Sequence, residues 1–322
     1  MIEIQTKSLQ GYKFIDLFAG IGAFHYALKS YGAECVFASE WDNRAVEFYE
    51  KNHHLTPKGD ITLVPSEEIP PHDILCAGFP CQSFSRIGRK LGFEDPRGNM
   101  IFEIARIAKY HQPKILFLEN VKDILKHDDG RTIQTITNLL NDTGYNVFYK
   151  VLNSGDFGVP QHRERVYFVC FRKDVKGVDD FTFPSPINKK VSVYDILEKD
   201  PTLPYKIIDP QRVTLNKELL PRSSEPINKL RQVGDFGKGM TQRIYDPIGH
   251  CPTFRCRTTG QYYIDGVTRE LTPRESARAQ GFPDSFIVPT TSGRASFVFG
   301  NTITVDVLQY IIAEIVKVLE NE

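Results

Sequence analysis

No apolar run in this sequence approaches the ~18 residues of a membrane span, so no transmembrane segment is expected. The start, Met1-Ile2-Glu3-Ile4-Gln5, lacks the basic region and apolar core of a secretion signal, which points to the cytoplasm. Among 6 cysteines there is no C-x-x-C pair, and a disulfide framework is not expected in a cytoplasmic chain of 322 residues. Cys35, Cys76 and Cys170 sit in apolar runs and read as inert core thiols. His250, Cys251 and Cys256 imitate a metal site but lack a second ligand pair, so no metal is expected. Net charge is absent too, 40 basic residues balancing 40 acidic ones, and any nucleic-acid contact must come from a local basic surface. Arg231, Lys238, Arg243, Arg255 and Arg257 offer one, facing only Asp235 and Asp246; alone, that stretch reads equally as an ordinary solvated face. Neither an internal repeat nor a low-complexity segment is visible.

What is present suits a globular protein: 41% apolar and 25% charged residues, with length for one large domain and a smaller one. The first half alternates apolar runs with helical patterns. Strands are expected at Phe14 to Phe18, Cys35 to Ser39, Ile74 to Ala77, Ile115 to Leu118, Val147 to Leu152 and Val166 to Cys170. Helices are expected at Ala23 to Tyr31, around Ala45 to Tyr49, at Ile101 to Tyr110 and at Thr132 to Leu140. Such alternation implies an α/β fold with a parallel sheet covered by helices on both faces. Phe183-Pro184-Ser185-Pro186 breaks the pattern, and the polar, weakly periodic stretch after it reads as a smaller domain. Thr272 followed by Pro273 marks a helix start, and Asn301 to Leu319 carries helical spacing. The expected division is 1–188, 189–272 and 273–322, the last returning to the first.

Phe18-Ala19-Gly20-Ile21-Gly22 follows the first strand and opens a helix. Glycines there let the backbone approach a ligand, and a helix N-terminus favours acceptor groups. Glu40 ends the second strand, where an acid commonly holds ribose hydroxyls. Trp41, the single tryptophan, suits stacking on adenine, and Asp60 beside Ile61 suits its amino group. Simple turn geometry explains two glycines equally well, and a nicotinamide cofactor is a competing reading. The third glycine of a dinucleotide fingerprint is missing, however, and F-x-G-x-G with Glu-Trp looks more like an S-adenosylmethionine pocket.

Gly78-Phe79-Pro80-Cys81-Gln82 places a cysteine just past a buried strand, where open α/β sheets put their chemistry. A thiolate there could attack an electrophile. Glu119 ends another strand, and Arg163 and Arg165 share a face if Gln161 to Tyr167 is extended. Each alone is also an ordinary strand-end charge.

Taken in order, these segments resemble the cytosine-C5 DNA methyltransferases along nearly the whole chain. The matching stretches are Asp16 to Gly22, Glu40-Trp41, Gly78 to Gln82, Glu119-Asn120-Val121, Gln161 to Arg165, Arg269 to Glu275 with Gly281-Phe282-Pro283, and Gly300-Asn301-Thr302. The resemblance implies a Rossmann-like S-adenosylmethionine-dependent methyltransferase sheet with a smaller target-recognition domain. It implies Cys81 as nucleophile, Glu119 as partner of cytosine N3, and Arg163 and Arg165 in the catalytic group. Phe18, Gly20, Ile21, Gly22, Glu40, Trp41, Asp60, Ile61, Gly78, Pro80 and Asn301 would hold S-adenosylmethionine, leaving S-adenosylhomocysteine as product.

The substrate implied is a cytosine flipped out of double-stranded DNA, with residues 82–99 closing over it. Gln82, Ser85, Arg86 and Ile87 of that loop, with Lys238, Thr241, Gln242, Arg243, Arg257, Thr259 and Gly260, are the expected DNA contacts. Arg243 suits a guanine, and Gln242 or Thr241 the vacated gap. The implied setting is a monomer paired functionally with a restriction endonuclease, without a regulatory domain. Transfer to tRNA and a non-catalytic DNA-binding scaffold are the alternatives; the recognition segment argues against the first, and intact Cys81, Glu119 and Arg165 against the second.

Overall fold

The computed structural model describes residues 8–80, 100–187, 189–219 and 226–320. The chain divides into two compact units, one of residues 2–152, 164–184 and 308–322, the other of 153–163 and 185–307.

The first unit is built on six strands: β1 (Lys13–Leu17), β2 (Glu34–Ser39), β3 (Ile74–Gly78), β4 (Ile115–Val121), β5 (Tyr145–Asn153) and β6 (Glu164–Arg172). They lie in the order β2-β1-β3-β4-β6-β5. The strands β2, β1, β3 and β4 are mutually parallel, whereas β4 and β6 are antiparallel. The wholly parallel sheet expected from the sequence is therefore corrected. Residues 154–163, which link β5 to β6, hold only a short 3-10 turn. Parallel neighbours need a crossover of about a dozen residues or more, usually a helix, so this link returns the chain antiparallel.

Helices α1 (Ala23–Ser30), α2 (Asn43–His53), α3 (Met100–His111) and α4 (Arg131–Asp142) form where the periodicity placed them. Strand alternation sends Ile15 and Leu17 of β1 into a core with Leu75, Ala77, Leu116 and Leu118. Helix α3 covers that face with Ile101, Ile104, Ile107 and Ala108, a spacing that makes one stripe. Burying each such side chain contributes roughly 1.5–3 kcal/mol. Phe14, Asp16, Cys76 and Phe117 occupy the other face of the sheet, where Phe24 of α1 meets Phe117 edge-on at 4.9 Å.

The second unit holds α5 (Pro273–Arg278), α6 (Ser292–Asn301) and five short strands. These are β7 (Thr214–Leu215), β8 (Gln232–Asp235), β9 (Arg243–Tyr245), β10 (Gln261–Ile264) and β11 (Val267–Glu270), in the order β11-β10-β9-β8-β7. Thr272 caps α5 as expected: its hydroxyl accepts from Glu275 N at 3.0 Å, and Thr272 N donates to Glu275 Oε2 at 2.8 Å. The continuous helix expected from Asn301 is corrected. Thr302 is extended (φ −86°, ψ 164°), ending α6, and α7 (Val305–Glu320) begins three residues later.

Candidate active site

The strand order puts the ends of β2, β1, β3 and β4 side by side, with a switch point between β1 and its two neighbours. That is where doubly wound folds bind ligands. The turn after β1 has left-handed backbone at Phe18 (φ 54°), Gly20 (56°) and Gly22 (86°). Gly22 tolerates no side chain: a Cβ there would collide with the His53 ring, 2.6 Å from Cδ2. His53 Nε2 lies 3.1 Å from the Ile21 carbonyl, so Nε2 is the protonated nitrogen. Its ring stacks on His25 at 4.1 Å, and His25 Nδ1 pairs with Tyr49 Oη at 2.8 Å. Burial pushes His53 down to about 4 and His25 to about 2, so both are neutral supports for the loop. The sequence reading missed this pair; His53 lies far along the chain and its role shows only once α2 packs.

Glu40 Oε2 accepts from Gly20 N at 2.8 Å, and Oε1 from Asp42 N at 2.8 Å. Its carboxyl thus stitches the glycine turn to the end of β2. Burial raises its pKa, opposed by those hydrogen bonds. Glu40 N in turn donates to Lys58 O, bringing in the 58–61 segment. There Asp60 Oδ1 accepts from Thr62 N and Oγ1 at 2.9 and 2.8 Å, and Ile61 is buried. Trp41 is 78% exposed beside them, a large apolar face turned to solvent. Gly78 and Pro80 close the row at the end of β3. Beneath it, Asp16 is fully buried. Burial raises its pKa well above the ordinary carboxylate value, opposed by a backbone hydrogen bond from His25.

Glu119 stands near the end of β4, in register with Gly78 of β3 and Tyr167 of β6. Its Oε1 is 3.0 Å from Arg165 Nε, with both side chains largely buried. A charge-assisted contact away from water is stronger than a surface one. Asn120, from the matching stretch Glu119-Asn120-Val121, donates from Nδ2 to Phe79 O at 3.0 Å. It fastens β4 to the segment that leads into Cys81. Lys122 Nζ reaches both oxygens of Glu164 at 2.9 and 2.8 Å, tying β6 to the residues after β4.

Arg163 departs from expectation. It precedes β6, so strand alternation does not put it on one face with Arg165. Its buried guanidinium donates to backbone carbonyls within the second unit, Thr302 O at 2.6 Å among them. In that unit Lys238, Thr241, Arg243 and Arg257 are exposed. Gln242 is half-buried, its Oε1 accepting from Gly239 N at 2.8 Å within the turn. Thr259 is 2% exposed and Gly260 is buried, which takes both away from solvent. Asn301 is exposed at the end of α6. Cys81, Gln82, Ser85, Arg86 and Ile87 lie outside the described residues.

Among the described thiols, burial pushes Cys35 and Cys251 to about 12 and Cys76 and Cys170 higher than a free thiol. None of those four is a thiolate near neutrality. Among the described residues, no three His, Cys, Asp or Glu side chains gather to hold a metal, and no helix is long and apolar enough to cross a membrane.

Residues 12–317 match the family described as C-5 cytosine-specific DNA methylase. The Type II methyltransferase M.HhaI of Haemophilus parahaemolyticus is 44% identical over 317 residues, covering 97% of this chain and 96% of that one. Type II methyltransferase M.HpaII of Haemophilus parainfluenzae is 42% identical, over 96% of this chain and 90% of its own. The solved structure of the S. pombe Dnmt2 methyltransferase shares the fold, with a TM-score of 0.70 at 22% identity over 96% of this chain and 99% of that one. With a match this long and a sheet of the same kind, the chain belongs to the C-5 cytosine-specific DNA methylase family.

Proposed function

We propose that this protein transfers a methyl group from S-adenosylmethionine to C5 of a cytosine flipped out of a short specific sequence in double-stranded DNA. The observation that carries the reading is the Glu119–Arg165 pair at the end of β4, beside the strand that leads into Pro80-Cys81. The residues around the glycine turn fit the cofactor. Left-handed Gly20 leaves space against the backbone, Glu40 suits a ribose diol, and exposed Trp41 suits an adenine face. Phe18, Ile21, Asp60, Ile61, Gly78 and Pro80 complete that wall, and Asn301 takes the methionine end. When bound, S-adenosylmethionine supplies an electrophilic methyl group on a sulfonium.

The chain's own residues prepare the base. The Cys81 thiolate forms a bond to C6, and the C5–C6 electron pair becomes nucleophilic at C5 as N3 takes a proton from Glu119. Arg165 holds the Glu119 carboxyl and offers a donor to the base carbonyl. After methylation the C5 proton leaves to water, the C5–C6 double bond reforms, the thiolate departs, and N3 returns its proton to Glu119. Arg163 touches none of these atoms in this account.

Residues 189–272 serve as the target-recognition domain, between a catalytic domain of 1–188 and a returning segment of 273–322. Lys238 and Arg257 meet phosphates and Arg243 reads a guanine. Because Gln242 is engaged within its own turn, the gap falls to its exposed neighbours Met240 or Thr241. Met240 is 57% exposed, and apolar wedges of this kind enter unstacked base steps. The protein acts as a monomer in the cytoplasm, bound to the nucleoid through DNA, and protects host DNA from a partner endonuclease. Its alternative substrate, tRNA, is an arm of the test.

Methyl transfer from labelled S-adenosylmethionine to duplex DNA and to tRNA tests the reading, with Glu119→Gln beside wild type. We expect transfer to DNA, and a kcat lower by about 10²–10⁴-fold in the variant with duplex binding retained. Full activity of Glu119→Gln, or transfer to tRNA alone, would contradict it.

A further inference from the structure

Arg165 stands in the last pair of the β4–β6 ladder, opposite Val121, and the end of a ladder is where pairing frays first. Past Val121 the chain leaves the sheet in a 3-10 turn, Lys122–Leu125. Among the described residues the Arg165 guanidinium is held at two points. Its Nε stands 3.0 Å from Glu119 Oε1, and its Nη1 donates back to Glu164 O at 2.8 Å. The second hold keeps the guanidinium beside a residue that carries a carboxylate of its own. A single cation therefore has two acidic neighbours, Glu119 across the ladder and Glu164 next in sequence.

Lys122 settles which of them Arg165 takes. Its Nζ lies 2.9 Å from Glu164 Oε1 and 2.8 Å from Oε2, so one ammonium engages both oxygens. Strand alternation turns the Glu164 side chain to the face opposite that of Arg165, and the lysine keeps it there. The Lys122 and Glu164 side chains are 44% and 38% exposed, and an ion pair this open contributes little to stability. Glu119 and Arg165 are largely buried, where salt and water screen charge less. The choice of carboxylate thus matters to the base site and hardly to the fold. All four residues belong to the first unit.

We propose that Lys122 is a positioning residue: by holding the Glu164 carboxylate it keeps Arg165 on Glu119. The proposal rests on the reading of Glu119 and Arg165 as the groups that serve N3 and the base carbonyl. Without Lys122, the Glu164 carboxylate is an uncompensated anion beside Arg165 and draws the guanidinium away from Glu119. Removing that carboxylate as well ends the competition and returns Arg165 to Glu119. This rescue separates the role from two plainer ones. A lysine that met a DNA phosphate would gain nothing from the loss of Glu164, and a merely stabilising ion pair would move the melting temperature rather than the rate.

Single-turnover methyl transfer from labelled S-adenosylmethionine to unmethylated duplex DNA tests this, because it isolates the chemical step from product release. Wild type is measured first: if it transfers no methyl group, the functional reading itself fails, whatever the variants do. If it does, Lys122→Met slows the step about tenfold. Its Kd values for duplex and for S-adenosylhomocysteine stay at wild type, and its melting temperature moves by no more than a few degrees. Lys122→Met combined with Glu164→Gln recovers the rate to within about threefold of wild type. A wild-type rate in Lys122→Met, whether or not its duplex Kd weakens, would overturn the proposal. So would a slow step that Glu164→Gln does not recover. Should Lys122→Met fail to fold, Lys122→Gln, which keeps a polar side chain, carries the same comparison.

Discussion

A missing methyl group shapes the glycine turn after β1. Gly22 has φ 86° and lies against His53, so an alanine there would meet left-handed strain and a collision at once. The strain alone costs about 1–2 kcal/mol. We therefore expect Gly22→Ala to weaken S-adenosylhomocysteine binding by at least about tenfold; calorimetry giving wild-type affinity would count against the site. The same scale shows what sequence can carry. Glu119 and Arg165 were legible because each ends or enters a strand whose apolar run is unmistakable, and the structure brings them to 3.0 Å. Arg163, one residue before β6 begins at Glu164, has partners different from those of Arg165. His53 and Gln280 act through contacts distant in sequence, and no local pattern announces them.

Among the elements, long apolar strands and amphipathic helices were readable and short polar ones were not. The helices α1 to α4 emerge within a few residues of the expected spans, because 8 to 12 residues show a period of 3.6 clearly. Strands β7 to β11 run only 2 to 4 residues, too few to show alternation, so a sheet was hidden in a stretch that reads as loop. That sheet matters for recognition. Arg243 opens β9 immediately after the 3-10 turn of Met240 to Gln242, and Gln242 braces the turn from inside. A rigid turn of this kind can hold an arginine fork against a guanine edge. Arg243→Ala should then cost about 1–3 kcal/mol on the cognate duplex and relax specificity at one base pair. Equal losses on cognate and non-cognate duplexes in filter-binding titrations would make it a phosphate contact instead.

For the whole molecule, zero net charge means that affinity for DNA depends on where charges lie rather than how many there are. Among the described basic residues between 231 and 257, Lys238, Arg243, Arg255 and Arg257 are exposed. The first unit carries the ends of β1, β2, β3 and β4 side by side, and the second carries the five short strands β7 to β11. The antiparallel β6 is the one feature of the main sheet that alternation could not forecast, since it depends on the helix-free link at 154–163. It is also what carries Arg165 to Glu119. The most direct test of the account is bisulfite sequencing of DNA from cells expressing the wild-type chain and Cys81→Ser. Cytosines protected within one short recurring sequence, and unprotected in the variant, are the predicted result. Protection that persists in Cys81→Ser, or a wild type that protects no cytosine, would contradict it.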